Sequence, residues 1–506
     1  MQDQTHDPNG FDSHAHKNDA EKLANKTPDT LDDHDGEALG AHDGEAPDQA
    51  PDSLVNQDSN LEHAASNNAD LDSLELQDSV TDAASKSEET ASAQDSEASP
   101  AVLHKNVFKN LAEQTKEKTH HRRHKVFSAV KAFLCLVVLV IVLAALAFVG
   151  YAAYLESHYS RIADNKMLKI ESPRAEIEGG QPQQVSYDTT YTLTTYNVGF
   201  GAYTPDYTFF MDKGVMKDGT PKQGVHGKAV SLESVEAATQ GSIATIASAV
   251  NGSAPDFMFF QEIDTDSDRS YHVNQVKAVK DTFSTYESSF ASNFHSGFLA
   301  YPLHDMHGKV NSGILTLSRV NMINSIRRSY PVTTDFPDKY FDLDRCFQIT
   351  RYKLPDKHSL VLINSHMSAY DKGGKFRAAQ LKMLTDILVS EYAKGNYVIA
   401  GGDWNHALCD SLELYPSQQG IPDWVKPLNA SDLPQGFTCV AADNLSEVPT
   451  CRGDDIAYEK GVTYTTTVDG FIVSNNVEAQ AHNIDTGFAT SDHNPVLLTF
   501  KLKAAA

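Results

Sequence analysis

The chain has 506 residues, with 68 acidic and 42 basic side chains and a formal net charge of −26. Residues 1–103 hold 25 acidic and 4 basic residues, whereas residues 172–506 have a net charge of only −11. This distribution excludes a small single domain, a collagen-like chain and a basic nucleic-acid packaging protein. The acidity belongs mainly to the N-terminal segment.

Residues 1–103 are predicted to form an acidic, disordered, cytoplasmic tail. Their single aromatic residue is Phe11, among repeated Asp, Ser, Ala, Asn and His. Such a composition buries too little apolar area to offset the conformational entropy lost on folding. The sequence HDGEA occurs at 34–38 and again at 42–46, but no adjacent apolar segment would fix the geometry of a metal site.

Residues 132–155 are predicted to form one transmembrane helix. These 24 residues carry no charge, and as a helix they would span about 36 Å against about 30 Å of hydrocarbon. They are apolar on every side, unlike a core helix, and Tyr151 and Tyr154 stand where interfacial aromatic residues are found. The run is longer and farther from the N-terminus than the apolar region of a cleaved signal peptide.

Residues 104–131 are predicted to be a basic juxtamembrane segment, with 8 basic and 2 acidic residues. The positive-inside rule therefore places the N-terminus in the cytoplasm and the residues after the span outside the cell. Nucleic acid is the alternative partner for this segment, but topology and anionic lipid explain it more simply.

Residues 156–186 are predicted to be a stalk, and residues 187–506 a single α/β domain with mixed sheets. Helical periodicity is clearest at 228–250 and 375–394. Seven short apolar or alternating runs predict strands: 190–196, 256–260, 312–317, 360–364, 397–400, 470–473 and 496–500.

Four cysteines lie in the outward-facing part of the chain: Cys346, Cys409, Cys439 and Cys451. No CxxC spacing indicates a zinc site. An even number outside the cell allows disulfides, and Cys439 and Cys451 are close enough in sequence to close one loop. Free buried thiols explain the pattern equally well.

Polar residues stand at the ends of six predicted strands. They are Asn197, Gln261-Glu262, Asn364-Ser365-His366, the block from Gly401 to Asn405, Asp469, and the block from Ser491 to Pro495. Because strand ends on one edge of a sheet converge, we expect these side chains to meet. Turns and caps need no particular mixture of carboxylate, amide and imidazole, whereas a hard-cation site that cleaves phosphate esters does.

The order TYN, QE, SH, GDWN, VDGF and SDHNP resembles the motif series of the endonuclease/exonuclease/phosphatase (DNase I-like) superfamily, over roughly residues 188–502. One aromatic exchange, Trp404 in place of the commoner Phe, leaves both polar members of GDWN intact. The resemblance implies a four-layer α/β sandwich, in which helices flank two mixed β-sheets and the site lies at one edge of the sheets.

The resemblance also implies a metal site and a water-activating group. Glu262 would bind a divalent cation, with Asn197 and Asp492 nearby. Mg²⁺ suits such oxygen ligands, with Mn²⁺ or Ca²⁺ as alternatives. Asp403 and Asn405 would orient or deprotonate the attacking water.

Two histidines would act on the phosphate. His493 would contact the scissile phosphate and would be oriented by Asp469, whose charge favours the charged imidazole. His366 would stabilise the charge of the transition state or protonate the leaving oxygen. The resemblance does not decide which group is the acid and which the base.

Weaker candidates surround this set. Arg345 could clamp a phosphate oxygen, with a salt bridge to Asp342 or Asp344 as the alternative. Asn311 stands where many family members carry a polar residue near the substrate. The segment 269–275 follows Glu262 and is either a pocket lining or the capped start of a helix, the second being favoured.

The substrate remains open, since one fold serves several chemistries. We expect a membrane-anchored, outward-facing, metal-dependent phosphoesterase and favour a nuclease, although the acidic domain has no broad basic footprint. A phosphatase or a phospholipase C-type (sphingomyelinase-like) hydrolase is the alternative, because the tether holds the site near the membrane. A catalytically inactive surface binding module is the alternative from another class. No protein partner is indicated.

Overall fold

The computed structural model describes residues 100–175, 180–341, 344–369, 371 and 374–504. The predicted disordered tail lies outside the described residues up to position 99. The first described element is helix α1, Pro100–His158, which runs without interruption through the predicted basic segment and the predicted span. Of the described helices, α1 alone is long and apolar enough to cross a membrane by length and composition. Its apolar side chains are exposed along the uncharged stretch.

Residues 120–506 pack together as one unit that contains two seven-stranded sheets. In spatial order, the first sheet comprises β1 (Lys166–Met167), β9 (Met322–Ser329), β10 (Cys346–Lys353), β11 (Ser359–His366), β12 (Tyr397–Asp403), β18 (Asp469–Ser474) and β15 (Phe437–Cys439). The second comprises β19 (Val477–Asn483), β20 (Val496–Leu502), β3 (Thr190–Asn197), β6 (Phe257–Asp264), β8 (Asn311–Ser318), β7 (Glu287–His295) and β2 (Ile170–Glu171).

Both sheets are mixed, as predicted. The pairs β11/β12 and β3/β6 are parallel, and the remaining neighbours are antiparallel. Three two-stranded sheets complete the strands of the described chain: β4 (Lys213–Val215) with β5 (Pro221–Gln223), β13 (Ala407–Leu408) with β14 (Pro427–Leu428), and β16 (Cys451–Arg452) with β17 (Thr465–Thr466).

Three helices cover the outer faces of the large sheets: α2 (Leu232–Ala247), α3 (Gln275–Thr282) and α4 (Lys375–Ala393). Leu384 and Leu388 of α4 pack on the first sheet, while α2 and α3 pack on the second. A separate apolar core, which includes Leu193 and Ile399, fills the space between the sheets. The layers are helix, sheet, sheet and helix, which confirms the predicted four-layer sandwich.

Buried polar side chains also join the two sheets. The Gln261 amide on β6 donates to the Asn364 Oδ1 atom on β11 at 2.8 Å. The Thr316 hydroxyl on β8 donates to the Gln348 Oε1 atom on β10 at 2.9 Å. All four residues are buried, so these directional bonds fix the alignment of one sheet on the other.

The segment 156–186 differs from the separate stalk predicted for it. β1 and β2 come from this segment, and they pair with β9 and β7 at the edges of the two sheets. Val185 is completely buried in the core between the sheets. Two-residue edge strands leave too short a pattern to be recognised in the sequence. The two sheets therefore take strands from Lys166 onward.

The pairing of the cysteines also differs from the one that their spacing in the sequence suggested. Cys439 lies beside Cys409, with the two Sγ atoms 2.6 Å apart, rather than beside Cys451. Cys439 ends β15, which lies at the edge of the first sheet. Cys451 begins β16, and its backbone forms an isolated antiparallel β-bridge with His493. Cys346 and Cys451 are buried thiols.

We expect glutathione disulfide to oxidise Cys409 and Cys439 to a disulfide, the two thiols losing two protons and two electrons to the oxidant. Their sulfur atoms are near bonding distance and partly exposed. The buried Cys346 and Cys451 thiols are the internal control and should remain reduced, because burial raises the pKa of both. Alkylation followed by peptide mapping measures the outcome, and unchanged alkylation of Cys409 and Cys439 after treatment would contradict it.

Candidate active site

The first sheet places three predicted site residues in a row. In the register of neighbouring strands, His366 at the end of β11 lies opposite Asp403 at the end of β12. Asp403 in turn lies opposite Asp469 at the start of β18. Two parallel strands end, and one antiparallel strand begins, at the same edge of this sheet.

The second sheet brings the remaining motifs to that edge. Asn197 at the end of β3 lies opposite Gln261 on β6, and Glu262 follows directly. Residues 491–495 immediately precede β20, whose first residue, Val496, lies opposite Thr195. The motifs between Asn197 and Pro495, which are far apart in the sequence, therefore lie together at one edge of the two sheets.

Backbone strain marks two of these positions. Glu262 has a φ of 50° and Asn405 a φ of 49°, both in the left-handed region. Glu262 lies where the register between β6 and β8 shifts. Such a bulge redirects a side chain, and a strained non-glycine residue persists only where the surrounding structure enforces it.

Asn197 is the hub of the cluster. Its Nδ2 atom donates to Asp403 Oδ2 at 3.1 Å and to Glu262 Oε1 at 3.4 Å, and it lies 3.4 Å from His493 Nε2. The Asn405 amide also donates to Asp403 Oδ2, at 3.2 Å. One amide thus links carboxylates that belong to different sheets.

His493 and Asp469 form the predicted pair, with Nδ1 of the histidine 2.7 Å from Oδ2 of the aspartate. Burial is the largest single influence and works against a charged imidazole, but Asp469, Cys451 and Asp492 together outweigh it and hold the pKa of His493 well above its usual value. The Nε2 atom lies 3.6 Å from Asp492 Oδ2 and 3.9 Å from Asp403 Oδ2. The charged imidazole is therefore anchored on one side and directed into the cluster on the other.

His366 has the opposite character. Burial and the charge of Arg345 hold its pKa well below the usual value, so the imidazole is neutral. Its Nε2 atom accepts a hydrogen bond from Arg345 Nη1 at 2.5 Å and lies 3.4 Å from Asp403 Oδ2. Both roles that the resemblance implies for His366 stay predictions.

Of the two weaker candidates, Arg345 reaches the cluster and Asn311 does not. Arg345 joins the cluster through His366, whereas Asp344, one of its alternative partners, pairs with Arg161 at 2.6 Å. Asp342, the other alternative, lies outside the described residues. Asn311 begins β8 at the same edge, but its amide donates to the Asp266 carbonyl at 2.8 Å and not to the cluster.

Two mixed sheets packed face to face thus carry six motifs, in the order of the resemblance, to a single shared edge. The fold is the four-layer α/β sandwich that the resemblance implies.

The chain is similar in structure to solved proteins at low sequence identity. TDP2 from Caenorhabditis elegans is 14% identical over 62% of this chain and 75% of that one, with a TM-score of 0.39. An endonuclease/exonuclease/phosphatase from Beutenbergia cavernae is 15% identical over 62% and 72%, with a TM-score of 0.41. The human Nocturnin catalytic domain with bound sulfate is 14% identical over 66% and 97%, with a TM-score of 0.38. Neither a protein-family model nor a curated protein matches the sequence.

Arg269 begins the segment 269–275, which was predicted either to line the pocket or to start a helix. Its guanidinium is buried, binds both carboxylate oxygens of Asp264 at 2.9 and 3.1 Å, and lies 3.8 Å from the centre of the Phe200 ring. Asn274 caps α3, as the helix-start interpretation of this segment predicts. The sequence feature that could have indicated the buried ion pair of Arg269 is Asp264, which lies five residues earlier on the strand that carries Glu262.

The donor set fits a divalent cation. Burial raises the pKa of Glu262, while the charges of Arg269 and Arg345 oppose this, and its side chain remains 25% exposed. Asp403, Asp469 and His493 also have ligand atoms within 4.8 Å of one another. The last two already satisfy each other by a hydrogen bond, so Glu262, beside the Asn197 amide, offers the more available oxygen.

Proposed function

We propose that this chain is a metal-dependent phosphoester hydrolase. The observation that carries the proposal is the hydrogen-bonded His493–Asp469 pair, whose second imidazole nitrogen, Nε2, lies 3.9 Å from the buried Asp403 carboxylate. A charged imidazole can hold a phosphate oxygen, and an adjacent carboxylate can take a proton from water. Both groups are needed at one place for hydrolysis of a phosphate ester.

Asp403 is the proposed base. Burial raises its pKa from the usual carboxylate value to about 6, which brings it closer to that of an effective base near neutral pH. The Asn405 backbone N–H donates to Asp403 Oδ1 at 2.8 Å and orients the carboxylate. The proton removed from water would pass to Asp403.

Arg345 is proposed to carry the charge-stabilising role that the resemblance gave to His366. The guanidinium is the charged member of this pair, and the neutral imidazole accepts its hydrogen bond. His366 would then position Arg345, whose remaining N–H groups can donate to a phosphate oxygen.

Glu262, Asn197 and Asp492 would hold the divalent cation, for which Mg²⁺ is the first candidate. A bound cation would neutralise negative charge on the phosphate and orient the ester. These oxygen ligands come mainly from carboxylates, as a hard cation requires.

The substrate hypothesis is a phosphodiester of nucleic acid, with a phosphatase or phospholipase C-type reaction as the alternative. The test uses the full chain in detergent or nanodiscs, since a fragment that begins at residue 172 would lack β1 and β2. DNA, RNA, sphingomyelin, inositol phosphates and bis(p-nitrophenyl) phosphate are incubated with Mg²⁺ or with EDTA. We expect cleavage that needs the cation. A folded protein that cleaves none of them with Mg²⁺, Mn²⁺ or Ca²⁺ would favour the inactive binding module.

We further propose that α1 crosses the cell membrane once, with the N-terminus in the cytoplasm. Its apolar stretch is exposed and follows a basic segment, the arrangement that the positive-inside rule orients. The catalytic domain would then lie outside the cell.

External protease on intact cells should therefore remove the domain after residue 158 and leave the residues before Lys131 protected. Immunoblots against an N-terminal and a C-terminal tag measure the two parts, and permeabilised cells serve as the control. Digestion of the N-terminal tag in unbroken cells would show that the orientation is reversed.

A further inference from the structure

Large apolar side chains face solvent on two connecting segments of the domain. The segment 296–310 joins β7 to β8, and the described part of 330–345 joins β9 to β10. Five side chains stand out, with exposed fractions from 38% to 77%: Phe298, Tyr301, Leu303, Met306 and Phe336. We call these five residues the apolar rim. Solvent-exposed apolar residues clustered in this way mark an interaction surface more often than scattered ones do.

The segment that carries most of the apolar rim is held in place from within. The Gly227 N–H donates to Asp305 Oδ2 at 2.9 Å, and the buried His307 ring donates to the Gly227 carbonyl. The Tyr301 ring packs on Phe210, with 5.4 Å between the ring centres. The exposed side chains are thus presented by an ordered backbone.

Both segments leave the sandwich at the edge that carries the candidate active site. His295, the last residue of β7, lies opposite Asn311, the first of β8, and the next residue of β8 lies opposite Asp264 at the end of β6. Cys346, the first residue of β10, lies opposite Ser329, the last of β9. The adjacent β10 residue pairs with the strand that ends in His366.

The end of α1 packs on the same two segments. The Tyr151 hydroxyl donates to the Phe298 carbonyl at 3.0 Å, and the Tyr154 hydroxyl accepts from the Phe298 N–H at 3.0 Å. The Tyr340 hydroxyl and the Lys339 ammonium each donate to Glu156 Oε2 at 2.6 Å. The two helix tyrosines stand where an aromatic belt would meet the membrane surface.

One aromatic contact joins the apolar stretch of α1 directly to the rim. The Phe148 and Phe336 rings are 6.4 Å apart in an edge-to-face arrangement. Phe148 lies inside the uncharged stretch that the proposed span would place in lipid. The apolar surface therefore continues from the helix onto the domain without a polar interruption at this point.

We propose that the apolar rim is a membrane-contact surface, which together with α1 holds the edge bearing the active site against the outer face of the bilayer. The occupant is lipid because the rim begins where the apolar helix leaves its span and consists of the aromatic and aliphatic side chains that enter the interface. The proposal rests on the proposed membrane span and not on the proposed chemistry. The site would meet phosphoesters presented at the membrane surface.

The test is tryptophan fluorescence of the full chain reconstituted in phosphatidylcholine vesicles, with or without bromine on the acyl chains. Leu303→Trp reports on the rim. The matched control is Ile323→Trp, since Ile323 is 54% exposed near the start of β9, about 20 Å along the strand from the site edge. The emission of the parent protein, which has two tryptophans, is subtracted from each.

We expect brominated lipid to remove most of the emission added by Leu303→Trp and to leave that of Ile323→Trp unchanged. Phe336→Trp, on the other segment, should be quenched as well, which guards against a local distortion by one substitution. Equal emission in both lipids for the two rim variants would overturn the proposal. Emission that changes with protein concentration but not with bromine would also overturn it, because the rim would then contact a second copy. Neither readout depends on catalysis, so failure of the hydrolase proposal would be seen separately.

Discussion

His493→Ala is expected to lower kcat/KM for phosphoester cleavage by roughly 100-fold or more, the usual contribution of a positioned acid–base group. Asp469→Asn should cost a comparable amount, because it removes the anion that orients and charges the imidazole. The double variant should lose little more than either single variant, since the two residues act as one unit. Steady-state kinetics on the substrate that proves to be cleaved measures all three.

The pH profile distinguishes a catalytic pair from a structural one. The folded-state pKa of His493 is raised by Asp469, so the charged imidazole persists as the pH rises through the ordinary histidine range. In Asp469→Asn the pKa falls, and activity that needs the charged form should be lost at a lower pH than in the parent.

An exposed pair in the same domain supplies the control for these variants. The imidazole of His482 lies 2.7 Å from the Asp443 carboxylate, and both side chains are more than half exposed. His482→Ala should leave kcat/KM unchanged. Additive losses in the His493 and Asp469 variants would show that the two residues act independently, and near-normal rates in all of them would remove the hydrolase assignment.

Glu262→Gln is expected to abolish most metal-dependent activity, by roughly 100-fold or more, as removal of one preorganised electrostatic group commonly does. Glutamine keeps the size and hydrogen bonding of the side chain but loses the charge that attracts the cation. Calorimetric titration with Mn²⁺ measures binding without reference to turnover and should show weaker binding in the variant.

Glu287→Gln is the matched control for that substitution. Glu287 is also a partly buried carboxylate on the second sheet, but it lies opposite Ser318, at the end of β8 away from the site. Cation binding and activity should be unaffected there. Tight Mn²⁺ binding retained in a folded Glu262→Gln protein would place the cation elsewhere.

The sequence predicted strands that carry nearly continuous apolar runs. β6, β11 and β12 are such strands, and their apolar runs are nearly continuous because each lies between a helix layer and the other sheet. β7, β9 and β10 were missed because they carry many polar side chains, so no apolar run or clean alternation marks them, although β10 is almost entirely buried.

The convergence of the motifs could be predicted, but not the charge state of each group. Strand ends share an edge, and that topological rule is enough to bring Asn197, Glu262 and Asp403 together. Whether His366 is neutral depends on its burial and on Arg345, which the sequence separates from it by 21 residues. The burial of His366 depends on the packing of the whole domain, so no pattern in the neighbouring sequence indicates it.

The polar bonds between the sheets have a consequence for how substitutions far from the site would act. The Asn197 amide donates to Glu262 on its own sheet and to Asp403 on the opposite sheet. The proposed cation ligand and the proposed base therefore belong to different sheets. Burial of apolar surface has no preferred direction, whereas the bond from Gln261 to Asn364 has a fixed direction and length. The distance between the proposed base and the proposed cation ligand therefore depends on the alignment of the two sheets. A small shift of one sheet would separate Asp403 from Glu262 without changing the local structure around either residue.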